Sequence, residues 1–268
     1  MNSSTDAYHR VQGLQRGLAI LRALNRAPRG TLTISQLVSA TNLHRTTIKR
    51  ILETLADEGC VQRSLSDNAY QLTLQVRELS EGFTDAEWIS QIAAPAMGEL
   101  LKNVQWPSDL TTLDGSAMLI RESTHRFSPL SIHKAMVGRR MPLLLSASGR
   151  AYFAACTPQR REELVKLMIA DGGEQGRLAS NPQIVRTLIE RVQSQGYGTN
   201  TEEWIRDSGT HAIALPILRS GEPIGCLNIV FLKRAMTIEQ AAQRLLPRLQ
   251  EAVAQIESAM TQQDVASY

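Results

Sequence analysis

No run of about 18 uncharged apolar residues occurs in the 268-residue chain, so the sequence offers no membrane-spanning helix. A secretory leader is missing too: the first ten residues are polar, and the apolar run after them is broken by Arg16 and Arg22, which predicts a cytoplasmic protein. Cysteine is scarce. Cys60, Cys156 and Cys226 are odd in number, far apart and form no C-x-x-C pair, which excludes a disulfide framework and leaves them as small buried apolar residues. Histidine is equally thin, and His9, His44, His125, His133 and His211 never fall at ligand spacing on one helix, so no metal site is expected. Ser148 and Cys156 are conceivable nucleophiles with His133 or His211 as base, but the flanks are not G-x-S-x-G and nothing marks an orienting acid. The sequence thus proposes no catalytic residue and no cofactor.

What is present is an ordinary globular composition, 43% hydrophobic and 21% charged, in a chain long enough for two cores. The net charge of +3 is unevenly spread. Residues 1–74 hold nine Lys/Arg against five Asp/Glu, and the remainder holds 20 against 21. A basic excess confined to the N-terminal quarter is expected if that part meets a polyanion, although a solvated basic surface would give the same balance.

Leu14, Leu18, Leu21 and Leu24 recur near the i, i+4, i+7 spacing and predict a helix over 13–25 with those four on its buried face, stopped by Pro28 and Gly30. A short helix follows over 35–40, then turn chemistry at Thr41-Asn42-Leu43. Residues 44–58 make a strongly amphipathic helix, with Ile48, Ile51, Leu52 and Leu55 on one face and Gly59 as the natural C-cap. Residues 60–63, a polar turn over 64–68 and period-two alternation through Leu74 predict a hairpin. Three helices and a hairpin in this order make a winged helix-turn-helix over 9–74. A linker over 75–87 carries a short helix at 76–82, and a second domain spans 88–262. That domain is expected to hold a helix over 88–104 that Pro95 divides or kinks, strands at 110–113, 117–122 and 132–137, and helices at 147–155, 159–170 and 182–195. A strand pair at 209–217 and 223–231 around Ser220-Gly221 and a helix over 238–260 complete it, giving an α+β protein whose second domain is a sheet flanked by helices.

If the helix over 44–58 packs through its apolar stripe, a rotation of about 100° per residue turns Thr46, Lys49, Arg50 and Glu53 outward, with Arg45 and Thr47 flanking. Donor-rich residues on the first turns are what a recognition helix needs to reach phosphates and base edges in the major groove. Arg63, Ser64 and Asn68 at the hairpin tip suit phosphate or minor-groove contact. An exposed basic helix without a partner would look alike, but the whole succession of elements favours double-stranded DNA.

The segments Leu14-Gln-Arg16-Gly17-Leu18-Ala-Ile-Leu21, Ser35 to Glu58, and Gly59-Cys-Val-Gln-Arg63 with Tyr70-Gln-Leu72 resemble the IclR family of bacterial regulators. The resemblance runs almost the whole length. In the second domain, Gly138-Arg-Arg-Met-Pro-Leu143, Ser146-Ala-Ser148-Gly-Arg-Ala151, Gly196-Tyr197 and Ile213-Ala-Leu-Pro216 look like the family's effector-domain signature. Leu43-His-Arg-Thr-Thr47, Thr124-His-Arg-Phe127 and Ala135-Met-Val-Gly-Arg-Arg140 look closest to family members that activate operons for degrading aromatic acids of the 3-(3-hydroxyphenyl)propionate type. The resemblance implies a homodimer or homotetramer on a palindromic operator, a possible contact with RNA polymerase, and a GAF- or profilin-like domain whose antiparallel sheet binds a small aromatic carboxylate. It places that effector beside Ser146, Ala147, Ser148 and Gly149, where a helix start offers unpaired N–H groups and small residues; the bland reading is Ser146 as an ordinary N-cap. Matching residue by residue adds Asn200, Ala212, Asn228 and Val230, the apolar pair suiting a ring and Asn228 donating a hydrogen bond. His133, Trp106 and Trp204 are candidate ring contacts. A repressor answering a different small acid, and an architectural DNA-binding protein with no ligand, remain the alternatives.

Overall fold

The computed structural model describes residues 11–27, 30–64, 67–80, 82, 88–133, 135–201, 203 and 209–266. Two compact units, Met1–Thr84 and Asp85–Tyr268, divide the chain.

The first unit contains α1 (Gln12–Arg26), β1 (Thr31–Leu32), α2 (Ile34–Thr41), α3 (Arg45–Asp57), β2 (Val61–Arg63), β3 (Tyr70–Leu72) and the four-residue α4 (Gln75–Glu78). Thr33 starts α2 with a reciprocal cap, its hydroxyl accepting from the Gln36 amide while the Gln36 side chain accepts from the Thr33 amide at 2.8 Å. Asn42, at φ 55°, ends that helix in the left-handed region that Asn tolerates, and the chain turns at once into α3. The strands form an antiparallel sheet in the order β1-β3-β2. Ile20, Leu24, Leu37, Ile48, Leu52 and Val61 make the core.

That core corrects the expected face of α1. Ile20 and Leu24 are buried, whereas Leu14 and Leu18 are 64% and 41% exposed. The helix docks along the line of 17, 20 and 24, with Gly17 facing Ile51; at about 100° per residue Leu18 lies about 160° around from Ile20. A run of leucines at helical spacing did not by itself identify the buried face.

In the second unit a π-helical turn, Trp88–Ala93, leads into α5 (Ala94–Val104). Pro95 therefore sits in the first turn of α5, where its missing N–H costs nothing, at the point where the expected helix divides into a π-helical and an α-helical part. Next come β4 (Ser108–Asp114), β5 (Ala117–Ser123), β6 (Arg140–Pro142), α6 (Ala147–Ala155), α7 (Pro158–Asp171), α8 (Gly173–Ala179), α9 (Pro182–Gln195), β7 (Gly198–Asn200), β8 (Thr210–Arg219), β9 (Glu222–Leu232), α10 (Ile238–Arg244) and α11 (Leu246–Ala266). The strand expected at 132–137 is absent among the described residues of that range; Ile132 and Val137 are exposed, and the edge strand forms only after Gly138 turns the chain at φ 79°. The expected helix over 238–260 is split at Leu245.

Six antiparallel strands in the order β6-β5-β4-β9-β8-β7 form one sheet with helices on both faces. Alternation along β8 and β9 sorts the residues. Ile213, Leu215, Ile217, Leu227, Ile229 and Phe231 pack with α5 and α11, while Ala212, Ala214, Cys226 and Val230 face the α6 side. α6 lies very close to the sheet and to the preceding loop: a Cβ on Gly198 would run into the Ala147 carbonyl, and one on Gly149 into the Leu143 carbonyl.

Candidate functional site

In the first unit the exposed face of α3 carries Arg45, Thr46, Lys49, Arg50 and Glu53, set by burial of Ile48 and Leu52 behind them; Thr47 is half-buried. His44 is the N-cap, its Nδ1 accepting from the Thr46 amide and lying 2.8 Å from the Thr46 hydroxyl. Lys49 is 3.9 Å from Glu53, a solvent-exposed pair worth little, so its ammonium remains available to an anion. At the hairpin tip Arg63 donates to the Asn68 side-chain carbonyl at 2.6 Å, and Asn68 takes the left-handed backbone at φ 52°. The Ser64 hydroxyl and then the Ala69 amide hold the Asp67 carboxyl below its ordinary value, so the tip carries one fixed negative charge beside Arg63. Four donors on one helix face and a braced Arg at the neighbouring tip form a surface suited to a phosphate backbone.

In the second unit a small cavity opens between the start of α6 and the α6 side of the sheet. Of the residues expected there, Ser146, Ala147, Asn200, Ala212, Asn228, Val230 and His133 line it. Ser148 and Gly149 do not. Ser148 is fully buried behind the wall, where its Oγ takes a hydrogen bond from Asn228 Nδ2 at 3.3 Å, and the smallness of Gly149 serves the Leu143 backbone. Trp106 packs edge-on against Phe231 in the core on the other face of the sheet, and Trp204 lies outside the described residues.

Ser146 is the N-cap of α6: its hydroxyl accepts from the Gly149 amide at 3.1 Å and donates to the Pro142 carbonyl at 2.8 Å. The bland reading is thus correct for the side chain. The backbone is another matter, because no acceptor among the described residues pairs with the N–H groups of Ala147 and Ser148 at the positive end of the helix. Asn228, expected to donate into the cavity, is committed: its carbonyl accepts from the Asp109 amide at 2.8 Å and its amide goes to Ser148. Asn200 is similarly occupied, giving its amide protons to the Leu145 carbonyl and to Glu203.

Arg150 fixes this edge of the wall, donating to the carbonyls of Leu144 and Thr199 and to Glu203. Burial works against ionising Glu203, but the Arg150 charge and the Thr201 amide outweigh it and hold the carboxyl below its usual range.

The sequence did not place Asp109, His125, Met136, Met141, Thr210 or His211 in the effector site, and these complete the lining. Asp109 and His125 are buried together, His125 Nε2 lying 3.5 Å from Asp109 Oδ2, and the rings of His125 and His133 are 6.1 Å apart. Burial and then the neighbouring His125 lower the His133 pKa from 6.5. Among the described residues no cluster of His, Cys, Asp or Glu has the geometry to hold a metal ion.

A hydrolase has no support in this arrangement. Ser148 Oγ is bonded to an amide and fully buried, and burial pushes the Cys156 thiol up to about 11 and the Cys226 thiol well above its ordinary value.

Two family models match the chain, one described as the IclR helix-turn-helix domain over residues 13–64 and the other as the bacterial transcriptional regulator IclR C-terminal over residues 83–258. The Pca regulon regulatory protein of Pseudomonas putida is 26% identical over 241 residues, covering 89% of this chain and 80% of that protein. The p-hydroxybenzoate hydroxylase transcriptional activator of Acinetobacter baylyi is 23% identical over 247 residues, 89% of this chain and 88% of that one. Among solved structures, an IclR homolog complexed with 4-hydroxybenzoate from Microbacterium hydrocarbonoxydans superposes with a TM-score of 0.57 at 23% identity, covering 92% of this chain and 98% of that chain.

Proposed function

Because the chain belongs to the IclR family of transcription regulators, with a DNA-binding helix-turn-helix and a C-terminal effector domain, we propose that it activates an operon for aromatic-acid degradation on binding an aromatic carboxylate of the 3-(3-hydroxyphenyl)propionate type. The observation that carries this reading is the cavity in the second unit. Met136, Met141, Ala147, Ala212 and Val230 give it apolar walls for a ring, and the uncommitted N–H of Ala147 at the start of α6 gives a carboxylate a place to dock. The names of two relatives, one a Pca regulon regulator and one a p-hydroxybenzoate hydroxylase activator, and the 4-hydroxybenzoate bound to a structural neighbour support an aromatic acid over an aliphatic one.

On the DNA side, Arg45, Thr46, Thr47, Lys49 and Arg50 enter the major groove of a palindromic operator, and Arg63 and Asn68 reach the backbone at its edge. Two-fold symmetry of the operator calls for a homodimer or a tetramer, and activation calls for a contact with RNA polymerase. No described helix is long and apolar enough to cross a membrane.

The test is a thermal-shift panel of aromatic and aliphatic acids followed by transcription in vitro from the operon next to the gene. Aromatic acids are expected to raise Tm and to increase transcript only when the protein is present. A rise in Tm with aliphatic acids alone would overturn the aromatic reading, and a transcript that increases when the protein is left out would make it a repressor.

A further inference from the structure

We propose that Asp109 reads a hydroxyl group on the effector's ring, so that the cavity selects hydroxylated aromatic acids over unsubstituted ones. This rests on the aromatic-carboxylate reading above and adds to it the identity of the group that sets specificity.

Asp109 is 1% exposed, lines the cavity, and neither carboxylate oxygen has a hydrogen-bond partner, although its backbone N–H is satisfied by Asn228. Buried carboxylates without partners are rare because their desolvation goes uncompensated. Its neighbour does not resolve the shortage. The Ser131 hydroxyl donates to the His133 carbonyl at 2.5 Å, so Ser131 Oγ receives the His133 amide and His125 Nδ1, the latter at 2.6 Å. His125 therefore carries its proton on Nδ1, and only a second, shared proton can join its Nε2 to Asp109 Oδ2 at 3.5 Å. Whichever of the two holds that proton, Oδ1 keeps an open acceptor site. His211 Nδ1 is a further buried atom without a partner on the same cavity, its ring held edge-on to Phe231 at 6.0 Å.

A ring hydroxyl matches this set, since it donates to Asp109 and accepts from an imidazole N–H at once. The effector's own carboxylate does not, because it has no proton to give and would set one acceptor against another at Oδ1. The polar groups of the cavity are thus sorted: the N–H of Ala147 takes the acid, and Asp109 takes the hydroxyl. A ring lacking the hydroxyl would cover Asp109 and leave it unpaired, and that arrangement discriminates far more strongly than a shape difference does.

The experiment is calorimetric titration of the full chain with 3-phenylpropionate and with its 3-hydroxy and 4-hydroxy forms at fixed pH and salt, for the unaltered protein, Asp109→Asn and Asp109→Ala, with Tm measured for each. The unaltered protein is expected to bind one of the hydroxylated acids at least about tenfold more tightly than 3-phenylpropionate. Asp109→Ala should erase that preference by weakening the hydroxylated acid alone, and the isosteric Asp109→Asn should shrink it. Equal affinity for all three acids in the unaltered protein, or a preference that survives both substitutions, would overturn the role of Asp109 and leave the aromatic-carboxylate reading standing. Binding of none of the three acids would overturn both. If Asp109→Ala does not fold, the unaltered protein and Asp109→Asn still decide.

Discussion

Asp109 on β4 and Asn228 on β9 stand directly opposite each other in the antiparallel ladder, and the Asn228 side-chain carbonyl takes the Asp109 amide at 2.8 Å while its own amide holds Ser148 Oγ at 3.3 Å. One side chain thereby ties the strand that bears the unpaired carboxylate to the helix start that bears the unpaired N–H groups. Asn228 reads as a brace of the cavity rather than a ligand contact. Asn228→Ala leaves two buried polar groups without partners, so we expect a loss of about 1–3 kcal/mol and a fall in Tm of several degrees. Urea unfolding measures it, and a loss below about 0.5 kcal/mol, the level of an ordinary surface substitution, would remove the brace.

Ala212 faces the cavity from β8 and Ala147 faces it from α6. Ala212→Leu inserts three carbons into the space between them, so effector binding should be lost while operator binding by the first unit is kept. Calorimetry and a gel shift on the same preparation check this, and retained effector affinity would move the ligand elsewhere. The corresponding substitution at Ser148 is a poor test, because that side chain is packed behind the wall against Asn228 and would disturb the core first.

The outward face of α3 was legible because its periodicity is local: Ile48 and Leu52 anchor one side, and the others follow from helix geometry. Ala212, Asn228 and Val230 were named through resemblance, and the β8–β9 register puts them on the lining of one cavity. Asp109, His125 and His211 were not legible, since each sits on a different segment and only the β4–β9 and β8–β9 registers bring them to one cavity. The single local hint was an Asp opening the run Asp109 to Leu113, a charged residue where a buried strand begins. The misread strand at 132–137 shows the opposite failure. Its apolar residues suggested a strand, but His125 and Ser131 hold that segment as a loop through hydrogen bonds that no period records.

Arg50 is exposed on the middle of the α3 face with its guanidinium free of any ion pair among the described residues. Arg50→Ala should weaken operator binding, by about 1–3 kcal/mol if it reads a base and with a salt slope lower by about one if it holds a phosphate. Effector affinity should not change. Gel shifts across a salt series distinguish the two roles, and unchanged binding throughout would displace α3 as the recognition helix.

Cys156 and Cys226 are buried thiols whose ionisation is suppressed, Cys226 also donating to the Ser148 carbonyl at 3.2 Å, whereas Cys60 is half-buried in the first unit. An aromatic disulfide reagent at pH 8 should therefore label Cys60 in the native protein and reach the other two only on unfolding. Rapid labelling of Cys156 in the native state would reopen a nucleophilic role.

His133 is the titrating group whose behaviour follows most directly from its surroundings. Burial, then the neighbouring His125 and Arg139, lower its pKa from 6.5, and Asp109 opposes them only in part. A histidine with a depressed native pKa binds fewer protons folded than unfolded between its native value and 6.5, so stability rises with pH across that window. Its contribution is complete above 6.5 and is lost as the pH falls through the native value. His133→Gln should flatten that segment of the curve while leaving stability at pH 8 nearly unchanged. Urea unfolding at intervals between pH 5 and pH 8 reads the slope directly. An identical slope in the variant would assign the titration to another group and leave His133 a wall of the cavity with no electrostatic part in its stability.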